Sequence, residues 1–121
     1  MPTVDLTEAT FADTINAEGI VFIDFWAAWC GPCRMFAPVY EQASETHPDI
    51  TFAKVDTEAQ QALAAAFNIT SIPTLMVFRD GIRVFAQPGA LASSQLEQLV
   101  QGARHLDMDA VRNDIAAQTQ Q

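Results

Sequence analysis

The spacing of apolar and polar residues predicts a chain that alternates between strands and helices. The longest apolar stretch, Ile20–Trp26, is interrupted only by Asp24, and a run of this length is typical of a strand covered on both faces. Apolar runs at residues 50–56 and 74–79 predict further strands, and the segments between the strands carry apolar residues at helical spacing. The chain is therefore expected to fold as an α/β domain.

The predicted elements follow the order βαβαβαββα. Strands are expected at residues 4–6, 20–26, 50–56, 74–79 and 82–87, and helices near residues 8–19, 34–46, 58–67 and 94–102. The dipeptide Asp80-Gly81 is a strong hairpin signal between the last two strands. These two strands should therefore pair antiparallel, while the earlier strands pair in parallel.

The composition narrows the possible classes of function. Fifteen acidic residues against six basic ones give the 121-residue chain a net charge of −9, whereas a nucleic-acid-binding surface requires clustered Lys and Arg. No apolar segment is long enough to cross a bilayer, and no secretion signal follows Met1. We therefore expect a cytoplasmic protein that binds neither nucleic acid nor membrane, in a compartment where structural disulfides are uncommon.

Both cysteines of the chain, Cys30 and Cys33, lie in the run WAAWCGPC. A closed zinc site needs about four ligands, and neither His47 nor His105 has ligand spacing to the pair, so no metal is expected. A disulfide that closes so short a loop restrains little of the unfolded chain, which argues against a structural role. The remaining interpretation is a redox-active pair.

Redox chemistry accounts for the residue types in and between the two cysteine positions. At the N-terminus of the predicted helix, unpaired N–H groups and the helix dipole would favour the thiolate of Cys30, the form that attacks a disulfide. Cys33, one turn further, would then attack the mixed disulfide and release the reduced target. Gly31 allows close backbone approach, and Pro32 at the helix start gives up no needed hydrogen bond. Cys30 is expected to be the more exposed thiol.

Asp24 is the one charged residue in the predicted central strand, where an unpaired carboxylate is costly. The strand leads directly into the cysteine loop, so Asp24 is expected beneath the cysteine pair. Burial should raise its pKa and make it a proton acceptor for Cys33. The alternative is a carboxylate that is satisfied by local hydrogen bonds.

Four runs along the chain carry a resemblance to a known family. They are FWAAWCGPC from Phe25, AKVDTE from Ala53, SIPTLMVF from Ser71 and PGAL from Pro88. In this order and at this spacing they resemble the thioredoxin family over nearly the whole of residues 4–102. The resemblance implies the thioredoxin fold, which is a central mixed β-sheet flanked by helices on both faces.

The resemblance also implies roles for residues near the cysteines. It gives Asp24 the same proton-accepting role. It also implies that Lys54 lies next to Asp24 and tunes the titration of its carboxyl group. The alternative for Lys54 is a side chain that simply reaches solvent. It implies that Pro73 is cis and packs against the cysteine pair, which would leave the backbone of Ile72 free to pair with a target segment. The expected target-binding residues are Trp29, Ile72, Pro73, Gly89 and Ala90, with Pro32 beside them in an apolar patch.

The function that the resemblance implies is general protein-disulfide reduction in cell redox homeostasis. Disulfide-containing proteins would be the targets, and thioredoxin reductase would return the electrons. The chain has no GxGxxG run, so flavin and nicotinamide would belong to that reductase, and this chain, expected to be a monomer, needs no cofactor. Two alternatives stay open. One is an oxidase or isomerase of exported proteins, which usually has histidine where this chain has Pro32, and the other is a binding subunit that works without its thiols.

The last segment of the chain lies outside the resemblance, so we expect a thioredoxin domain at residues 1–103 and an extension at residues 104–121. Asp107 or Asp109 is a suitable helix N-cap. The apolar residues at helical spacing behind them are Met108, Val111 and Ile115. They predict a helix of about two turns that docks through these residues on the domain or on a second copy; a frayed tail is the alternative.

Overall fold

Ten elements follow one another in the computed structural model, which describes residues 2–119. The strands are β1 (Thr3–Asp5), β2 (Ile20–Trp26), β3 (Thr51–Asp56), β4 (Thr74–Arg79) and β5 (Ile82–Pro88). The helices are α1 (Glu8–Ile15), α2 (Gly31–Thr46), α3 (Gln61–Ala66), α4 (Ser93–Arg104) and α5 (Met108–Thr119). This confirms the predicted order βαβαβαββα, and α5 follows it. None of the helices in this part of the chain has the length and apolar content that crossing a membrane requires.

The described strands form one mixed sheet in the order β1-β3-β2-β4-β5. β3 runs parallel to β1 and β2, and β4 runs antiparallel to β5, as the sequence predicted. β4 also runs antiparallel to β2, a pairing that the sequence analysis did not specify. β2 therefore lies at the centre of the sheet. Its register places Asp24 opposite Lys54 of β3 and Leu75 of β4, so a carboxylate and a lysine occupy neighbouring central strands.

The apolar residues of β2 are buried because helices cover both faces of the sheet. On one face, Phe22 belongs to a cluster with Tyr40 of α2 and Leu96 of α4. On the other face, Ile23 belongs to a cluster with Phe11 of α1. This burial on two sides explains why β2 is a nearly continuous apolar run and not an alternating one.

The hairpin between β4 and β5 forms where Asp80-Gly81 predicted it. Both turn residues have positive φ, +52° for Asp80 and +82° for Gly81, which suits a two-residue hairpin turn. The Asp80 carboxylate accepts a hydrogen bond from the Gly19 N–H at 2.9 Å and lies 3.7 Å from Arg112 Nη2. The turn is thereby connected to the loop before β2 and to α5.

The junction between α4 and α5 is held by a guanidinium group. Arg79 Nη1, at the end of β4, donates to the carbonyl oxygens of Ala103, Arg104 and Leu106 at 2.8, 3.3 and 2.9 Å. Carbonyl groups at the end of a helix lack partners within the helix, and Arg79 supplies them. α4 therefore continues to Arg104, past the predicted end near residue 102.

α5 has twelve residues, which makes it longer than the predicted two turns. The Asp107 carboxylate accepts a hydrogen bond from the Ala110 N–H at 3.1 Å, so Asp107 serves as the N-cap. Met108 is 7% exposed, whereas Ile115 is 41% exposed. Met108 is therefore buried as the sequence predicted, whereas docking through Ile115 stays a prediction.

A polar network joins the C-terminal ends of α2 and α4. Arg104 donates to both oxygens of the Asp49 carboxylate, at 2.6 and 3.0 Å, and this hydrogen bonding lowers the pKa of Asp49 to about 2. Arg104 Nη2 also lies 3.0 Å from His47 Nδ1, while His47 Nε2 lies 2.7 Å from Glu97. Because a guanidinium only donates, Nδ1 accepts and the Nε2–H donates to Glu97. The network fixes the segment before β3 against α4.

Removal of the tail should lower stability by an amount that depends on where the chain ends. Truncation after Leu106 removes α5 with its buried methionine and should lower the free energy of unfolding by about 2 kcal/mol. Truncation after Gly102 also removes the ion pair of Arg104 and the carbonyl acceptors of Arg79, so the loss should be roughly twice as large. Urea unfolding of both truncated proteins measures the difference. Equal losses would show that the contacts of Arg79 and Arg104 together contribute nothing to stability.

Candidate active site

A disulfide joins Cys30 and Cys33 at the N-terminus of α2, where their Cα atoms are 5.2 Å apart. Cys30 is the N-cap of this helix, and its Sγ accepts the backbone N–H of Cys33 at 3.2 Å. The Cys30 N–H donates to the Ala27 carbonyl at 3.2 Å, so a tight turn connects β2 to the helix. Both side chains are nearly buried, at 4% and 3% exposed. The two residues are about equally exposed in the disulfide state, and the greater exposure of the Cys30 thiol in the reduced protein stays a prediction.

The loop before β4 lies against the cysteine pair. Its Ile72–Pro73 peptide bond is cis, and the Ile72 carbonyl oxygen lies 3.6 Å from Cys30 Sγ. Pro73 is buried, and its carbonyl oxygen accepts the Gly89 N–H at 2.8 Å. The two loops that the resemblance placed near the cysteines are thus bonded to each other beside the disulfide.

Asp24 is buried in β2 and lacks the hydrogen bonds that would satisfy a carboxylate. Its side chain is 1% exposed, and Oδ1 has no hydrogen-bond partner in the part of the chain that is described. Burial raises the pKa of Asp24 from 3.8 to about 7, while the positive charge of Lys54 acts in the opposite direction. The alternative of a locally satisfied carboxylate is therefore wrong for this oxygen.

Lys54 is half-buried in the strand beside Asp24. Its Nζ lies 4.7 Å from the centre of the Trp26 ring, which is a cation–π contact. Trp26 in turn packs against the small cluster formed by Ala27 and the two cysteines. Lys54 therefore acts on Asp24 through its charge and contacts the layer beneath the disulfide, and it does not simply extend into solvent.

Trp29, directly before the cysteine pair, is held by a residue that the sequence did not single out. Its Nε1–H donates to Glu58 Oε1 at 2.7 Å. Glu58 lies in a turn that replaces the start of the predicted helix at residues 58–67, because the Asp56 carboxylate accepts the Glu58 N–H at 2.9 Å. The only sequence signal was its place at the end of AKVDTE, since nothing local reveals its partner.

The surface around the disulfide is apolar and largely exposed. Trp29 and Met35 are 66% and 76% exposed, and they lie on either side of the cysteines along the chain. The other exposed members are Pro32, Gly89 and Ala90, whereas Ile72 is half-buried and Pro73 is buried. Met35 was missed because an apolar residue in an amphipathic helix ordinarily faces the core.

The two histidines are engaged in contacts away from the sulfur atoms. His47 contacts Glu97 and Arg104, and the His105 Nδ1–H donates to the Gln101 carbonyl at 2.7 Å. Within residues 2–119, no three side chains of His, Cys, Asp or Glu are grouped in a way that could hold a metal ion.

The chemistry of this site is that of a thiol–disulfide oxidoreductase. A bridge that closes so short a loop stabilises a fold very little, whereas a sulfur at a helix N-terminus with an N–H donor is suited to ionise and exchange. A buried carboxylate with a pKa of about 7 matches the proton transfer that such exchange requires.

The chain belongs to the thioredoxin family, whose sequence model matches residues 2–102. It is 56% identical over 119 residues to the Streptomyces coelicolor protein provisionally named thioredoxin 2. The aligned region covers 98% of this chain and 89% of that protein. The solved structure of Plasmodium falciparum thioredoxin superposes with a TM-score of 0.76 at 38% identity, over 83% of this chain and 98% of that chain. The bifunctional thioredoxin reductase/thioredoxin of Mycobacterium leprae is 42% identical over 96 residues, which are 78% of this chain and 21% of that protein.

The family and the site together establish the reaction class. The chain is a protein-disulfide oxidoreductase that carries out dithiol–disulfide exchange through the pair Cys30 and Cys33. Its mixed five-stranded sheet with flanking helices is the fold of its solved relatives, so the predicted thioredoxin fold is confirmed.

Replacement of Asp24 by asparagine should stabilise the fold above neutral pH. The folded state binds the Asp24 proton more tightly than the unfolded state, so stability falls as pH rises from about 4 to about 7. Asp24→Asn removes this loss, and its advantage should reach about 4 kcal/mol above pH 8 and vanish near pH 4. Urea unfolding from pH 4 to 9 tests this. Asp13→Asn, at an exposed carboxylate, is the control, and matching pH profiles for both variants would contradict a buried titrating Asp24.

Proposed function

We propose that this protein is a general protein-disulfide reductase in which Cys30 attacks, Cys33 resolves and Asp24 moves the proton. The observation that carries these roles is the N-cap position of Cys30, whose Sγ receives the Cys33 N–H at 3.2 Å. A sulfur that receives a backbone donor at a helix N-terminus is stabilised as the thiolate. The reactive unit is residues 1–103, which agrees with the family match to residues 2–102, and residues 104–121 are an extension.

In the first step, the reduced protein reacts as a nucleophile. The Cys30 thiolate attacks one sulfur of the target disulfide, a mixed disulfide forms, and the second target sulfur leaves as a thiolate that takes a proton from water. The exposed apolar surface receives the target, with Trp29 held by Glu58 and with Ile72 offering backbone groups next to the sulfur. Gly89 and Ala90 border the same surface.

In the second step, Cys33 resolves the mixed disulfide. Asp24 accepts the Cys33 proton, the resulting thiolate attacks Cys30 Sγ, and the target leaves with both of its sulfurs reduced. This step restores the disulfide present in the structure. The raised pKa of Asp24, about 7, supports its role because a carboxylate of ordinary pKa is too weak a base for a thiol.

The electrons are returned by thioredoxin reductase. The name of the Mycobacterium leprae relative joins a thioredoxin reductase to a thioredoxin in one protein, which supports such a partner here. The residues assigned to the mechanism all lie in one chain, in keeping with a monomer. A cytoplasmic location completes the proposal, because a reductase needs a compartment in which thiols are kept reduced.

Trapping with Cys33→Ser tests the assignment of the two cysteines. Without the resolving thiol, mixed disulfides should accumulate on Cys30 and appear as higher-mass species that disappear on addition of dithiothreitol. Peptide mass spectrometry would locate the link. Cys30→Ser is the matched control and should trap far less. Stronger trapping by Cys30→Ser would reverse the roles, and partners held equally by both variants without covalent bonds would favour a binding subunit.

Asp24→Asn should slow the second step far more than the first. We expect resolution of a preformed mixed disulfide to slow by about 100-fold, the usual contribution of a positioned base. In the wild type, resolution should accelerate as pH rises through about 7, where Asp24 loses its proton. Single-turnover kinetics from pH 5 to 9 measures both effects. An unchanged resolution rate at pH 8 would remove Asp24 from the mechanism.

A further inference from the structure

A groove of about 210 Å³ runs along β5 on the sheet face covered by α1 and α3. Ser71, Thr74 and Pro88 line one end, and Arg83 lines the other. The strand register fixes this order, since Thr74 pairs with Pro88 while Phe78 pairs with Arg83. We call this feature the β5 groove.

The β5 groove is continuous with the proposed target-binding surface. Ser71 and Thr74 flank the Ile72–Pro73 bond, and Gly89, which bonds to the Pro73 carbonyl, follows directly after Pro88. A target segment that pairs with Ile72 beside Cys30 therefore enters the groove when it continues past Pro88.

The side chains that line the groove carry a net positive charge, whereas the whole protein carries a net negative charge. The chain has a net charge of −9, yet the groove lining contains no acidic residue and one basic residue, Arg83. In residues 2–119, Arg83 is also the only basic residue without a contact to its charged group. Each of the other five basic side chains contacts another residue through its charged group. The pairs are Arg34 and Ala28, Lys54 and Trp26, Arg79 and Ala103, Arg104 and Asp49, and Arg112 and Asp80.

We propose that the β5 groove selects targets through an acidic side chain that pairs with Arg83. The inference rests on the proposed function, because it assumes a target segment bound beside Ile72. Arg83 and Pro88 pair with Phe78 and Thr74 of β4, which are four positions apart because of a β-bulge, and this is about 13 Å at strand spacing. An extended target covers this distance in about four residues, and Ile72 beside Cys30 lies two positions before Thr74. The acidic residue is therefore expected roughly four to six positions from the attacked cysteine.

The expected preference is modest and depends on salt. An exposed guanidinium–carboxylate pair favours binding by about twofold to fivefold, and screening weakens it as ionic strength rises. The neutral polar groups of the lining, Asn68, Thr70 and Gln87, discriminate little by charge. The pairing therefore affects which targets are reduced and not the sulfur chemistry itself.

Peptides with a single movable charge test the proposal. Each peptide carries one cysteine as a mixed disulfide with thionitrobenzoate, and a glutamate, a glutamine or a lysine stands one to eight residues away on either side. The reduced protein should reduce the glutamate peptide about twofold to fivefold faster in kcat/KM at low salt, near position five on one side only. Arg83→Gln should abolish this ratio, and Arg83→Glu should reverse it in favour of a lysine peptide.

The control variant is Arg112→Gln, which changes the net charge equally on α5 and should keep the wild-type ratio. A wild type without preference at any position, a preference that survives Arg83→Gln, or an equal loss in Arg112→Gln would each overturn the role of the groove. Failure of the wild type to reduce any peptide would instead overturn the proposed function, so the two failures are distinguishable.

Discussion

The burial of the Asp24 carboxylate in β2 is the constraint on which the site depends. β2 is bonded to β3 on one side and to β4 on the other, so it cannot move to bring Asp24 into water. A shift by one residue would place Asp24 on the opposite face and would exchange Phe22 with its neighbours, which disrupts both core clusters. Since side chains alternate along a strand, Asp24 shares the face of Phe22, which α2 covers. The fold thereby keeps the carboxylate on the side of the sheet where α2 carries Cys33.

The antiparallel placement of β4 separates the redox chemistry from the tail. Because β4 runs against β2, its first residue, Thr74, lies beside Phe25, and its last residue, Arg79, lies beside Ile20. The Ile72–Pro73 loop is therefore brought to the cysteine end of the sheet, while the guanidinium that holds the α4–α5 junction lies at the opposite end. The two ends of β4, Thr74 and Arg79, are about 17 Å apart at strand spacing. One strand thus supports the target loop at one end and the tail at the other.

Features with a local signal were predictable from the sequence, and those that depend on distant partners were not. The apolar run of β2 and the turn at Asp80-Gly81 are each encoded by neighbouring residues, and both were placed correctly. Glu58 and Arg79 are polar residues whose partners lie 29 and 24 or more positions away, so nothing nearby marks them. The burial of apolar residues also depends on distant partners. Met35 and Ile115 are spaced as if they faced the core, yet both are exposed.

Two effects act in opposite directions on the pKa of Asp24, namely its burial and the charge of its neighbour in β3, Lys54. Burial raises the pKa of the carboxyl group, and a carboxyl group that stayed protonated could not accept a proton. The charge of Lys54 offsets part of that shift, and the resulting pKa of about 7 keeps both protonation states populated near neutrality. Thiol–disulfide exchange runs in both directions, so the proposed base must take a proton when Cys33 resolves a target and return it when the disulfide is reduced again. A group whose pKa lies near the ambient pH can do both, and here it requires a buried aspartate beside the single lysine of the chain.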